Sequence, residues 1–440
     1  MTGKKEGKMA VIYPFRGIRY NLEVVGDLSA VVTQPYDRIG PKEEEEYKKR
    51  SPYNIVRVIG GKVPPEDDAE YQRRAETFRK WLAEGVLVQD PEPGIYAYWQ
   101  KFTWDGKEYV RKGFVALIDL KESGVKAHER TLKGPKEDRL KLLRATEANF
   151  GHIFLLYRDP SLKASNAISD AVSGKDPEMR ATDDFGNEHL LWQITDPAVI
   201  EAAKETLRPL QAYIADGHHR FETAKIFMEE CFQRGWTPVP PESFTSRMVT
   251  LVNTEEPGLV IRPIHRIVHS LSDFDYRTFL KALEGDFQVE QLRSLEEARE
   301  RLATGLGKEH VFVFYSGGRF HAAALKEEEA IERLVPGEKP LEWKRLDVSI
   351  LHAAVFEKLL GIDTEALVKQ TNVDYTPYAE KVVEAVDQGK AQLGVLLNPT
   401  RVKDVLAVAD AGERMPQKST DFYPKLLTGL VAMKMKIRKG

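Results

Sequence analysis

"AYIADGHHRFETAKIF", residues 212–227, sets an acid, a glycine, two histidines and an arginine between an apolar run and a helix-like run. The first part predicts a strand and "RFETAKIFMEECFQRG" the helix that follows it. A helix start turns its first-turn amides outward and carries the positive end of the helix dipole. Gly217 lets an anion approach the backbone closely. Arg220 has the planar fork that grips phosphate with two bonds, and His218 and His219 donate hydrogen bonds or carry protons near neutral pH. Asp216, itself an anion, suits a different role: orienting a histidine, holding Mg²⁺, or accepting a proton from an attacking hydroxyl. The competing reading is purely structural, with Asp216 as the helix N-cap and Gly217 as a turn.

Outward from this junction, predicted strands and helices alternate along the 440 residues. That length implies two or three domains, and the alternation predicts an α/β or α+β, multi-domain protein. The expected division is an N-terminal α/β region (1–110), a core region carrying the junction (111–272) and a C-terminal α/β region (273–440). The net charge of −3 provides no overall field for nucleic acid or anionic lipid. Cys231 is the single cysteine, so an intramolecular disulfide and a Cys-based metal cluster are both excluded. "MTGKKEGKMAVIYPF" has no apolar signal core, and no run approaches the ~20 residues of a membrane span; a cytoplasmic location is expected.

Several elements can be placed in advance. "EDDAEYQRRAETFRKWLAEG" predicts a helix with Tyr71, Ala75, Phe78 and Leu82 inward. "YNIVRVI" has strand alternation. Asp105-Gly106 predicts the turn of a hairpin. Gly134-Pro135 argues for a loop before a helix over about 137–149.

Two polar stretches add candidates. "HERTLKGPKEDRL" offers Glu129 as a general base and Lys133, Lys136 and Arg139 as polyphosphate ligands. "GERMPQKSTDFYPK" offers Arg414, Gln417, Lys418, Ser419 and Thr420, near 413–421, as a loop for phosphate or a substrate carboxylate; its alternative is a capped helix entrance. "TQPYDRI", with Tyr36, Asp37 and Arg38, reads first as a turn. His265 and His269 lack a third ligand for zinc.

"ADGHHRFETA" resembles the signature of a widespread bacterial and archaeal family of unknown function. The resemblance also takes in "PFRGIRY", "PYDRI", "HERTLKGPKEDRLKLLRAT", "GHIFLLY", "AQLGVLLNPTRV" and "GERMPQKSTDFYPKLLTGLV". "YIADGHHR" is further similar to the phosphate-binding signature of the ParB/sulfiredoxin-like superfamily, whose free-serine kinases carry a closely similar string at a helix start. This implies a ParB/sulfiredoxin-like nucleotide-binding core in which Gly217, His218, His219 and Arg220 hold phosphate beside Asp216. Sulfiredoxins place a cysteine where His218 stands here, which argues against thiol-based repair. No helix-turn-helix of the ParB kind is visible.

The expectation is therefore a phosphoryl-transfer enzyme, with Asp216, His218 and Glu129 as catalytic candidates and Gly217, His219, Arg220, Lys133, Lys136 and Arg139 as nucleotide ligands. Its donor would be ATP or ADP with Mg²⁺, and its acceptor a small hydroxylated metabolite such as free serine. No protein metal ligands are assigned. The alternatives are a non-catalytic nucleotide sensor and a ParB-like nucleic-acid-processing protein.

Overall fold

A computed structural model describes residues 10–121, 124–126 and 133–440. They form a mixed α/β structure of two compact units. The first unit holds the chain up to Leu259 together with Pro424–Gly440, and the second holds Val260–Tyr423. Residue 110, one expected domain edge, lies inside the strand Lys107–Asp119 of the first unit's main sheet.

That sheet has nine strands among the described residues. In spatial order they are Val125–Lys126, Ala212–Asp216, Ile153–Tyr157, Ser246–Asn253, Lys107–Asp119, Ile95–Trp104, Glu188–Ile194 and Met179–Thr182, with Ile12–Tyr13 also pairing with Lys107–Asp119. The predicted hairpin turns at Asp105 and Gly106, at φ 50° and 71°, the left-handed pair that suits a tight hairpin. Ser246–Asn253 runs parallel to Ile153–Tyr157 and antiparallel to Lys107–Asp119, and all eight of its residues are buried. Apolar faces of the helices Lys163–Val172, Pro197–Leu207 and His218–Gln233 join the sheet residues in one core cluster.

Three local expectations change. "YNIVRVI" forms a short helix, Val56–Ile59, because Asn54 Oδ1 accepts from the Val56 amide at 3.0 Å and Gly60, at φ 65°, stops the turn. The helix expected from about residue 137 starts at Lys133. Pro135 lies in its first turn, where a missing N–H costs no intrahelical bond. The helix Ala69–Ala83 buries Trp81 beside Tyr71, Ala75 and Phe78, leaving Leu82 half-buried.

The second unit is built on a six-stranded antiparallel sheet ordered Phe287–Leu292, Arg319–Leu325, Val311–Ser316, Leu393–Leu397, His265–Val268 and Val373–Thr376. Its core clusters gather aromatic and aliphatic side chains from this sheet and its helices. Phe422–Tyr423 pairs as a short strand with Val260–Ile261, so no helix follows the polar stretch at 413–421 and the capped-entrance reading fails. Among the described residues, no helix is long and apolar enough to cross a membrane.

Candidate functional site

The strand Ala212–Asp216 pairs with Ile153–Tyr157, and its register shifts between Ile214 and Asp216. The chain then turns at Gly217, φ 97° and ψ 26°, into the 16-residue helix His218–Gln233. A Cβ at Gly217 would stand 3.1 Å from Arg220 Nη2 and 3.3 Å from Ile153 Cα. Glycine is thus required twice over, by the left-handed backbone and by the packed neighbours. Gly217, not Asp216, occupies the N-cap position, and no side chain caps the helix. The structural reading of Asp216 as N-cap is therefore excluded.

Asp216 instead holds two cations. Arg220 Nη2 donates to Asp216 Oδ2 at 2.9 Å and Lys425 Nζ to Oδ1 at 3.3 Å. Burial alone would raise the carboxyl pKa, but Lys425, Arg220 and Arg38 outweigh it and hold the group well below the usual carboxylate range. The aspartate stays ionised at every physiological pH. A carboxylate held so firmly in its charged form is a weak proton acceptor. Its chemistry is to fix two positive groups at the helix start.

Lys425 is placed by a buried polar network. Gln100 Nε2 donates to the Lys425 carbonyl at 2.9 Å, Arg111 Nη2 donates to the Pro424 carbonyl, and the Leu427 amide donates to Tyr98 Oη at 3.1 Å. Tyr98 Oη lies 2.8 Å from His189 Nδ1, and His189 Nε2 lies 3.2 Å from Asp183 Oδ2. Burial lowers the His189 pKa, though Asp183 opposes that shift. In the neutral ring, Nε2–H donates to the carboxylate, which leaves Nδ1 to accept from Tyr98. Side chains of adjacent strands thus pin the backbone that carries Lys425.

Beside the junction lies a pocket of about 500 Å³, including its open mouth. Arg139, Arg220 and Arg247 line it together with Tyr36, Thr223 and Thr428, against an apolar wall that includes Leu142 and Phe150. Arg139 donates from Nε to Asp138 at 2.6 Å and from Nη1 to the Ile59 carbonyl at 2.9 Å, and its guanidinium stands 4.1 Å from the Tyr36 ring centroid. Tyr36–Arg38 is a 3₁₀ turn. The expected turn is real, and it also faces the site: Arg38 acts on Asp216, and Asp37 acts on His219. His219 is half-buried, and burial, Lys136 and Arg220 lower its pKa against the opposing pull of Asp37 and Glu222. His218 is buried.

The structure thus brings together Asp216, Gly217, His218, His219 and Arg220 at the helix start and Arg139 in the adjoining pocket. Lys136 reaches the same helix, with Nζ 3.1 Å from Glu222 Oε2. Glu129 lies outside the described residues, and Lys133 is the first residue of its helix. Arg414, Gln417, Lys418, Ser419 and Thr420 belong to the second unit. Their loop is stitched there through its backbone: the Arg414 carbonyl accepts from Trp343 at 2.8 Å, that of Lys418 from Arg266 at 3.1 Å and that of Ser419 from Thr400 at 2.7 Å. Lys425 and Arg247 were not among the expected ligands. No group of three or more His, Cys, Asp or Glu side chains is placed to hold a metal among the described residues. A nucleotide's Mg²⁺ is held chiefly by the phosphates with one or two carboxylates and water, so it needs no such cluster.

The family model described as "protein of unknown function", DUF1015, matches residues 12–349. The chain belongs to the DUF1015 family. A search of curated proteins finds no match to this DUF1015 protein. Solved structures similar to it include a free serine kinase in complex with AMP, at 13% identity over 73% of this chain and 91% of that one, with a TM-score of 0.34. A point variant of a free serine kinase in complex with ADP matches at 13% identity, over 73% and 92% of the two chains, with a TM-score of 0.36. A conserved hypothetical protein from Pyrococcus furiosus matches at 12% identity, over 74% and 95%, with a TM-score of 0.32.

Proposed function

We propose that this DUF1015 protein is a nucleotide-dependent phosphotransferase acting on a small hydroxylated metabolite, free serine being the leading candidate. The observation that carries the reading is the Gly217 turn, which sets the start of a 16-residue helix beside Arg220 and Lys425, both fixed on Asp216. Helix-start amides and pre-positioned cations are what a transferring phosphoryl group needs, since its catalysis is mainly positioning and charge stabilisation.

In this reading the acceptor hydroxyl attacks the terminal phosphorus of ATP or ADP. A new P–O bond forms, the bond to the leaving nucleotide breaks, and the hydroxyl proton passes to a base. Arg220 and Lys425 stabilise the charge on the transferring oxygens. Asp216 keeps them in place and is not the base. Glu129 is the carboxylate proposed for that role from the sequence. Phosphorus NMR of the full-length protein with ATP or ADP and serine tests the proposal: it expects a phosphate monoester and the shortened nucleotide in equal amounts. Nucleotide binding without any new phosphorus species would instead favour a sensor.

A further inference from the structure

The Arg247 side chain is buried, 5% exposed, in the strand Ser246–Asn253. Its Nη2 donates to the Gly151 carbonyl at 3.1 Å, while its Nε is buried without a hydrogen-bond partner. No carboxylate pairs with it among the described residues. On the other side of Gly151 lies Arg220: a Cβ added to Gly151 would stand 2.7 Å from Arg220 Nη1. Arg220 Nε and Thr223 Oγ1 are likewise buried and unpartnered. All three side chains line the pocket beside the junction.

Charge accounting makes this arrangement informative. Asp216 is shared between Arg220 and Lys425, and Asp138 pairs with Arg139. Arg247 is left as a buried cation against Leu142, Leu143 and Phe150, with a second guanidinium nearby. Burial and the neighbouring Arg220 lower its pKa to about 9, so it remains charged at neutral pH. A buried cation without a counter-ion is strongly destabilising. An oxyanion in the pocket would offset that cost, and the low-polarity walls would strengthen its attraction.

We infer that Arg247, with Arg220 and Thr223, forms an oxyanion subsite that takes one carboxylate or phosphate end of a small metabolite in the pocket behind the helix start. The subsite does not depend on phosphoryl transfer: it would exist equally in a sensor.

The test is thermal melting and titration calorimetry of the full chain in chloride buffer, with inorganic phosphate and acetate added separately. The wild-type protein should bind at least one of them, and its melting temperature should rise with anion concentration. Response to phosphate alone assigns the phosphoryl end, and response to acetate assigns a carboxylate. In Arg247→Met the anion response should fall at least tenfold, and the variant should melt no lower than the wild type without added anion, because it loses an uncompensated charge. Arg247→Lys, which keeps the charge but not the fork, should respond weakly and provides the reading if the methionine variant fails to fold. Phosphorus NMR with ATP and serine separates this site from the proposed function: anion binding that Arg247→Met abolishes, in a protein that forms no phosphate monoester, keeps the subsite and removes only the phosphotransferase reading. Absence of binding by the wild type to both anions, or equal anion responses in wild type and variants, would overturn the inference.

Discussion

Arg220 Nη2 stands 2.9 Å from Asp216 Oδ2, one helical turn on and across the left-handed Gly217. The pair makes the helix start a fixed positive edge. Arg220→Ala leaves Asp216 hydrogen-bonded to Lys425, with Arg38 as the other nearby cation. Breaking a largely buried pair of this kind costs about 3 kcal/mol, and losing two charge-assisted bonds to a phosphate weakens nucleotide binding by about tenfold or more. Arg220→Lys keeps the charge without the fork and should fall between. Calorimetric titration with ATP and ADP, alongside thermal melts, checks both effects. Unchanged affinity in the alanine variant would remove the junction from nucleotide binding.

The pH dependence of stability follows from Asp216. Its folded pKa is depressed by Lys425, Arg220 and Arg38 against the upward pull of burial. A depressed carboxylate binds its proton more weakly in the folded state than in the unfolded chain. Its stabilisation is therefore complete above the ordinary carboxylate range and is lost as pH falls through and below that range. Asp216→Asn should melt well below the wild type at pH 6 to 8, and the gap should close as the buffer is taken below about pH 4. A gap of constant size across that range would show that the carboxylate's charge is not what stabilises the turn.

The junction was legible because its signals are local: an apolar run, a glycine and a helical run within sixteen residues. The hairpin at Asp105-Gly106 was legible for the same reason. Lys425 was not, since it meets Asp216 across 209 positions, and no periodicity encodes that pairing. Arg247 was hidden within "FTSRMVTLVN", which reads as an ordinary strand. Its signal was an arginine in a run otherwise suited to full burial, a placement that requires compensation. "YNIVRVI" misled because alternation over a few residues was outweighed by the Asn54 cap and the Gly60 stop.

Gly217→Ala tests the backbone itself. At φ 97° a Cβ is strained by about 1–2 kcal/mol, and it would press on Arg220 and on the Ile153 backbone. Arg220 can give way, while Ile153 Cα cannot. The variant should fold with a lowered melting temperature and lose nucleotide affinity as Arg220 leaves Asp216. Gly106→Ala, at φ 71° with nothing near the added carbon, is the matched control: it should cost similar stability with no change in binding.

Tyr98→Phe reaches the site without touching it. Its hydroxyl accepts from the Leu427 amide at 3.1 Å and bonds His189 Nδ1 at 2.8 Å. Removing it leaves the buried Leu427 amide unpaired, which costs about 1–3 kcal/mol, and leaves His189 Nδ1 with Gln100 Nε2 at 3.3 Å. The Pro424–Leu427 backbone then keeps its anchors on Arg111 and Gln100 but loses the one beyond Lys425. Lys425 should sample more positions around Asp216, so turnover should fall several-fold while nucleotide affinity, held mainly by Arg220, changes less than threefold. Lys425→Met should reproduce that split without the stability cost of a broken Tyr98–His189 chain, and adding Tyr98→Phe to it should lower turnover little further. Full additivity of the two losses in turnover would show that Tyr98 acts on the site by a route other than Lys425.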